Sequence, residues 1–213
     1  MGQDRNLGIR GTEFAQALGA TLDAFGFQRS EEEITEPLLR PLFNDLLDCE
    51  DLLAKADTQF ARRTFFRASF AFIEAQLYWF RTLIAQRIAH DNLLERRADV
   101  TTLALLFDAY GRPDKRGRVR LESNRVPFLN RCAFVLRTAA VHAGIDPESF
   151  FSDNGWNEIQ RALRVRHRIT HPQKPEDLDV TDSEVYSLRE AHRWFFNRLS
   201  DIVNWYSKHK NGH

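Results

Sequence analysis

The residues best suited to chemistry lie in a basic stretch, RALRVRHRITHPQKP, at residues 161–175. This stretch holds two histidines and five cations without a carboxylate, and acidic residues follow immediately between positions 176 and 184. One interpretation is a solvated helix face whose cations lie near the C-terminal end, where the helix dipole favours positive charge. The other is a site for an anionic substrate, because arginine binds phosphate and imidazole exchanges protons near neutral pH.

Helical spacing predicts that one of these arginines interrupts an apolar stripe. Trp156, Ile159 and Leu163 form the inward stripe of a predicted helix over 154–171, and Arg166 occupies the next position on it. A guanidinium at such a position must find a partner or face a wet cleft. We therefore expect Arg166 to be paired or to line a cleft.

A second stripe of the same helix contains Arg164, His167 and His171, at spacings of three and four. Because Pro172 disfavours helical geometry at the residue before it, the imidazole of His171 can turn toward Arg166. Such a cleft suits RNA cleavage. Imidazole can take a proton from a ribose 2′-hydroxyl or give one to the leaving oxygen, while arginine binds the phosphate and stabilises its developing charge. This chemistry needs no metal.

The segment Arg166–His171 matches the R-x-x-x-x-H signature of HEPN domains, and residues 57–207 resemble that superfamily. The motif ends a penultimate helix before a proline and a long last helix, and the aromatic segment ARRTFFRASFAFIEAQLYWF resembles the opening helix of such domains. The resemblance implies a helical bundle with endoribonuclease activity, working as a homodimer with Arg and His from both subunits in one composite site. Many members are prokaryotic toxins or defence proteins, and others have lost catalysis and serve as binding modules.

The resemblance also implies roles for single residues. His171 would be the acid–base group, Arg166 the phosphate clamp and His167 a second polar group at a position where asparagine is commoner. Arg164 and His171 satisfy a looser motif with six intervening residues, so the arginine assignment stays open. We favour Arg166 because it alone interrupts the apolar stripe. Glu74, in the aromatic helix, is a candidate counter-ion for a buried Arg166, although solvated charge would also explain it.

Further cations are candidate substrate contacts. Arg164 precedes the motif on its helix, and Arg168 lies within it. A glycine- and proline-containing loop, 111–120, carries five cations against one acid, and within it we expect Arg116 and Arg118 to help hold RNA. The plainer interpretation of that loop is a merely solvated connection.

Apolar periodicity predicts an all-α fold, since no window alternates long enough for a strand. The predicted helices cover 12–25, 42–56, 57–89, 92–108, 121–143, 154–171 and 183–207, with Thr181, Asp182 or Ser183 capping the last. We interpret residues 57–213 as a helical bundle of HEPN type and residues 1–56 as an N-terminal helical appendage.

The helix predicted over 57–89 has an unusually wide apolar arc. Phe65, Phe72 and Trp79 repeat every seven residues. They lie about 100° from a main stripe containing Phe66. One bundle seam does not need both stripes, and exposed aromatic patches mark interfaces. We therefore predict a homodimer with this helix and the helix over 154–171 at the contact.

Composition restricts the class of protein. The chain has 213 residues with 30 basic and 30 acidic side chains, so a globally basic nucleic-acid binder is excluded. The neutral charge also favours an alternative function, a non-catalytic helical module for dimerisation or for binding RNA or protein. Cys49 and Cys132 cannot form a disulfide framework, which fits a cytoplasmic setting. No segment of 18 uncharged apolar residues occurs, so no membrane span or membrane partner is expected.

The sequence offers little for metals or cofactors. His167 and His171 have metal-ligand spacing, but no glutamate lies between them and a third ligand would have to be Glu176 or Asp177. No phosphate-binding loop or dinucleotide fingerprint occurs, so we predict no metal and no cofactor. His192 falls on the apolar stripe of the last helix and is expected to be a hydrogen-bonded core residue. The expected partners are RNA, a second copy of the chain and an antitoxin protein.

Overall fold

The computed structural model describes residues 39–95, 100–106, 109–113, 115–116, 119–123 and 126–209. Its α-helices are α1 Leu39–Lys55, α2 Gln59–Glu95, α3 Val100–Leu106, α4 Phe128–His142, α5 Glu148–Phe151, α6 Asn154–Thr170 and α7 Asp182–His209. A short 3₁₀ helix, Pro175–Leu178, lies between α6 and α7, and strands β1 Ala109–Pro113 and β2 Val119–Ser123 lie between α3 and α4. Apart from this hairpin the described elements are helical, which confirms the predicted class at that level.

The strongest periodic segments form the predicted helices. Helices α2, α6 and α7 correspond to the helices predicted over 57–89, 154–171 and 183–207, with small shifts at their ends. Helix α7 begins with a capping box. The Glu184 amide donates to Thr181 Oγ1 at 3.3 Å, and the Thr181 amide donates to Glu184 Oε2 at 2.9 Å. Thr181 is therefore the cap among the three candidates.

The predictions between α2 and α4 were partly wrong. The helix expected over 121–143 begins only at Phe128, and the expected loop 111–120 contributes to an antiparallel hairpin in which Gly111 pairs with Leu121. Each strand has five residues, which is too short for a clear alternating pattern. Of the helix expected over 92–108, the structure gives the end of α2 and all of α3. The helix expected over 12–25 lies outside the described residues.

The structure divides into two compact units, and the division falls within α2, after Gln76. The first unit contains, among the described residues, 39–76 and 146–209, and the second contains those between 77 and 145. Helix α1 thus belongs to the same unit as α6 and α7, so the division does not coincide with the boundary that we predicted at residue 56.

Aromatic side chains of α2 form the core of the first unit. Phe65, Phe66, Phe70 and Phe72 are all 0% exposed within a single chain. Phe43 of α1 contacts Phe72, with ring centroids 5.4 Å apart. The stripe that we interpreted as surplus apolar surface is therefore covered at Phe65 and Phe72 by the chain itself. This removes the physical reason that we gave for a dimer contact along that stripe.

His192 of α7 lies in the same core. It is 2% exposed and stacks on Phe72, with ring centroids 5.8 Å apart. The predicted core position is confirmed, but neither ring nitrogen has a hydrogen-bond partner among the described residues. Because burial disfavours the charged imidazolium, the pKa of His192 falls to about 4.

This burial predicts a loss of stability in acid. Above about pH 6.5, the usual histidine pKa, His192 is neutral in both the folded and the unfolded chain, so its protonation does not change the free energy of unfolding. As the pH falls from there toward 4, the unfolded chain takes up a proton that the folded chain refuses, so the free energy of unfolding drops by about 3 kcal/mol.

Urea denaturation at pH 7 and at pH 4 measures this loss. His192→Phe keeps an aromatic ring on Phe72 and should flatten the dependence of the unfolding free energy on pH. His167→Gln, at an exposed histidine, is the matched control and should keep the wild-type slope. An unchanged slope in His192→Phe would assign the acid sensitivity to other groups.

Candidate functional site

Helix α6 begins and ends at identifiable signals. Asp153 accepts a hydrogen bond from the Gly155 amide at 2.9 Å and caps the N-terminus. At the other end, Thr170 is the last helical residue. His171 follows as the C-cap with φ −127° and ψ 60°, as expected for the residue before Pro172. The predicted motif therefore lies on the last turn and a half of a well-bounded helix.

The chain after α6 is held by the start of α2. The side-chain amide of Gln59 donates to the Val180 carbonyl at 3.1 Å, and its oxygen accepts from the Val180 amide at 2.7 Å. Arg62 donates to the same carbonyl at 2.7 Å, and Arg63 donates to the Leu178 carbonyl at 2.9 Å. The segment that follows His171 is thus held at Leu178 and Val180 by side chains of α2 that bond to its backbone. These contacts could not be predicted from the sequence because the partners lie more than a hundred residues apart.

Arg166 is paired with a carboxylate of α2. Its Nη2 lies 2.9 Å from Glu74 Oε1, and its guanidinium carbon lies 5.6 Å from the centroid of the Phe70 ring. The side chains of Arg166 and Glu74 are 30% and 39% exposed, so the pair lies at the edge of the core. The structure therefore brings together the two residues that the sequence offered as clamp and counter-ion.

His167 lies on a different face of α6 from Arg166, about 100° further around the helix. Arg164 lies one turn before His167, His171 follows the helix as its C-cap, and all three residues are exposed. No side-chain hydrogen bond or ion pair joins any of them to another described residue. The structure thus separates the candidates. Arg166 is paired with Glu74, whereas Arg164 and both imidazoles are exposed to solvent.

Arg168 serves as a link between α6 and α7. Its Nη2 donates to the Asp179 carbonyl at 2.6 Å and lies 3.1 Å from both carboxylate oxygens of Glu184. We expected Arg168 to contact substrate, but its guanidinium is engaged by a carboxylate and by the backbone within the chain.

The predicted loop contacts fall in the second unit. Arg116 is exposed on the turn between β1 and β2, and Arg118 lies outside the described residues.

The described residues offer no ready metal site. No group of three or more histidine, cysteine, aspartate or glutamate side chains within them is placed to hold a metal ion. Asp177, which we considered as a third ligand, accepts hydrogen bonds from the amides of Gln173 and Lys174 at 2.8 and 3.2 Å. Both cysteines are free, and burial raises the pKa of the Cys132 thiol, which keeps it protonated. Among the helices of the described part, none is long and apolar enough to cross a membrane.

Comparisons of the chain with protein-family models, with curated proteins and with solved structures found no match. The resemblance to HEPN domains thus depends on the motif and the helical layout alone.

Proposed function

We propose that this chain is a metal-independent endoribonuclease of HEPN type. The observation that carries the proposal is the exposure of Arg164 and His167 on α6 and of His171 at its C-cap. The cation and the two imidazoles have no partner among the described residues, so they are available to a substrate. The contacts of Gln59 and Arg63 support the proposal, because they hold the following segment in one conformation.

The chemistry follows from these groups. One imidazole takes the proton of a ribose 2′-hydroxyl, and the 2′-oxygen attacks the adjacent phosphorus. The bond between phosphorus and the 5′-oxygen breaks, and a second imidazole, now acting as an acid, gives its proton to that oxygen. The products are a 2′,3′-cyclic phosphate and a free 5′-hydroxyl. An arginine stabilises the negative charge that develops on the phosphate oxygens.

The geometry favours Arg164 over Arg166 as the phosphate-binding arginine. Arg164 is exposed to solvent as both histidines are, whereas Arg166 is neutralised by Glu74 and packs on Phe70. We assign Arg166 and Glu74 the role of positioning α6 against α2. This choice reverses the preference that the apolar stripe suggested, and it keeps the looser motif of Arg164 and His171.

The proposal includes a homodimer in which the ends of two α6 helices meet at a two-fold axis. The axis would place His171 of both copies in one cleft, so that one imidazole acts as base and the other as acid. It would also gather the arginines of two neutral chains into a basic cleft for RNA. A prokaryotic toxin of this kind would need an antitoxin protein as its further partner.

A direct test is cleavage of RNA by the purified chain in the presence of EDTA. We expect cleavage to continue at the same rate, because imidazole and guanidinium groups supply every proton and charge that the reaction needs. The fragments should carry 2′,3′-cyclic phosphate and 5′-hydroxyl ends, and a substrate with a single deoxynucleotide at the cleavage site should resist. Loss of activity on chelation, restored by a divalent ion, would contradict the metal-free mechanism.

The alternative function is a non-catalytic module that binds RNA or another protein. It is favoured by the zero net charge of the chain and by the Arg166–Glu74 pair, because that pair engages the motif arginine within the chain. Binding of RNA without any cleavage, by a chain purified without nuclease contamination, would support this alternative.

A further inference from the structure

A groove lies between α6 and the start of α7, within the first unit. It has a volume of about 390 Å³, at the lower end of the range of about 300–1,000 Å³ that is typical of ligand pockets. The polar side chains that line it are Arg161, Arg164, Arg168, Ser183, Glu184 and Ser187. Three guanidinium groups therefore face one carboxylate, and the groove carries an excess of positive charge.

Two of the three arginines that line the groove have an ion-pair partner, and the third has none among the described residues. Arg168 and Glu184 neutralise each other at 3.1 Å, and Arg161 lies 2.9 Å from the buried carboxylate of Glu158. Arg164 has neither an ion pair nor a hydrogen bond to any other described residue. The groove therefore holds one cation whose counter-ion the described chain does not supply.

A serine hydroxyl at the same place also makes no hydrogen bond within the described chain. Ser187 lines the groove, and the residue is 9% exposed. A helical serine commonly donates to the carbonyl four residues before it, but Ser187 makes no hydrogen bond to the described part of the chain. The Ser187 hydroxyl can therefore donate a hydrogen bond to a ligand in the groove. Together with Arg164, this hydroxyl indicates an anion with acceptor oxygens.

We propose that this groove binds a phosphate of an RNA strand, next to the phosphate that is cleaved. The placement of the strand rests on the proposed function. Helical spacing places Arg164 between His167 and the groove, since His167 is displaced from it by about 60° to one side and Arg168 by about 40° to the other. A strand that passes His167 and His171 would therefore reach the groove at its neighbouring phosphate. Arg164 supplies the charge there, and the Ser187 hydroxyl donates to a phosphate oxygen.

The test measures binding rather than cleavage, with a short fully 2′-O-methylated oligonucleotide that lacks the nucleophile. Ser187→Leu fills the groove without changing any charge, and it should weaken binding roughly tenfold. Because one phosphate contact on a single strand contributes about 0.7 to the slope of log K against log salt concentration, that slope should flatten by about 0.7. Tyr186→Leu, at an exposed neighbour on α7 that does not line the groove, is the matched control and should bind as the wild type does.

Two further variants make smaller changes, so that a loss of binding can be distinguished from a loss of the fold. Ser187→Ala removes only the hydroxyl and should weaken binding about threefold, while Arg164→Gln should flatten the salt slope by about 0.7. Wild-type affinity and slope in Ser187→Leu would overturn the proposal, as would a complete failure of the oligonucleotide to bind. Tighter binding of a phosphoserine peptide than of the oligonucleotide would overturn the assignment to RNA.

These outcomes are separable from the fate of the proposed function. Groove-dependent binding by a chain that never cleaves RNA would support the groove and contradict the nuclease. Cleavage by a chain whose affinity for the oligonucleotide is unchanged by Ser187→Leu would support the nuclease activity and contradict phosphate binding in the groove.

Discussion

Replacing His171 with alanine is expected to lower the rate of RNA cleavage by about two to four orders of magnitude, the usual contribution of a general acid or base. The protein should keep its fold, because the imidazole is exposed and makes no hydrogen bond to the described residues. The backbone at this position is set by Pro172 and by the His171 amide, which donates to the His167 carbonyl at 2.9 Å. Alanine preserves both features.

Single-turnover cleavage of a labelled RNA measures this effect, with circular dichroism and the melting temperature as checks on the fold. Asn157→Ala, at an exposed position on the same helix, is the control and should cleave at the wild-type rate. His167→Ala forms a separate arm. A larger loss there than in His171→Ala would exchange the roles of the two histidines. Wild-type cleavage by His171→Ala would exclude it as an acid–base group.

The parts of the fold that could be predicted are those that local periodicity encodes. Helix α6 has an apolar stripe, the capping residue Asp153 and a proline just beyond its end, and all three signals lie within twenty residues of sequence. Helix α7 likewise shows its capping box, Thr181 with Glu184, in the sequence. Local signals of this kind fix the existence and type of an element without information from the rest of the chain.

The parts that could not be predicted depend on contacts between distant segments. Phe43 of α1 covers Phe72 of α2. The periodicity within α2 does not reveal which other helix packs on Phe72. The apolar surface from which we argued for a dimer contact along this stripe is covered at Phe72 by a helix of the same chain. The hairpin of β1 and β2 is a similar case, because pairing across a turn stabilises strands whose own pattern is too short to detect.

The candidate site shows the same division. The sequence reveals the basic motif and offers Glu74 as a candidate counter-ion of Arg166, because a buried arginine requires one. It could not decide between Arg164 and Arg166, since that choice depends on which guanidinium a distant carboxylate occupies. It also missed the groove. Ser183 and Ser187 are unremarkable in the sequence, and only the packing of α7 beside α6 places them opposite the arginines.

Replacing Gly155 with alanine is expected to lower the free energy of unfolding by about 3 kcal/mol, the upper part of the usual range for overpacking. Gly155 lies in the first turn of α6, against Trp194 of α7. A Cβ at this position would lie 2.2 Å from Trp194 Cγ and 2.4 Å from Trp194 Cβ. Rotation of the Trp194 side chain leaves its Cβ atom in place, so the α7 backbone would have to move.

The surroundings of Trp194 oppose such a movement. The residue is 4% exposed, and its ring centroid lies 5.6 Å from that of Trp156, which is itself in contact with Phe151. Local propensity predicts the opposite sign, since alanine is preferred to glycine in a helix, by up to about 1 kcal/mol in its interior and by less in the first turn. The experiment therefore decides whether packing between helices or propensity within one helix dominates at this position.

Urea unfolding of the wild type, Gly155→Ala and Asn157→Ala provides the measurement. Asn157 is exposed two residues further along the same helix, so its replacement adds helix propensity without a clash and should leave stability equal or slightly higher. A Gly155→Ala variant as stable as Asn157→Ala would show that α7 can withdraw at no cost. The expected loss would instead show that the absence of a side chain at residue 155 allows α6 and α7 to approach closely.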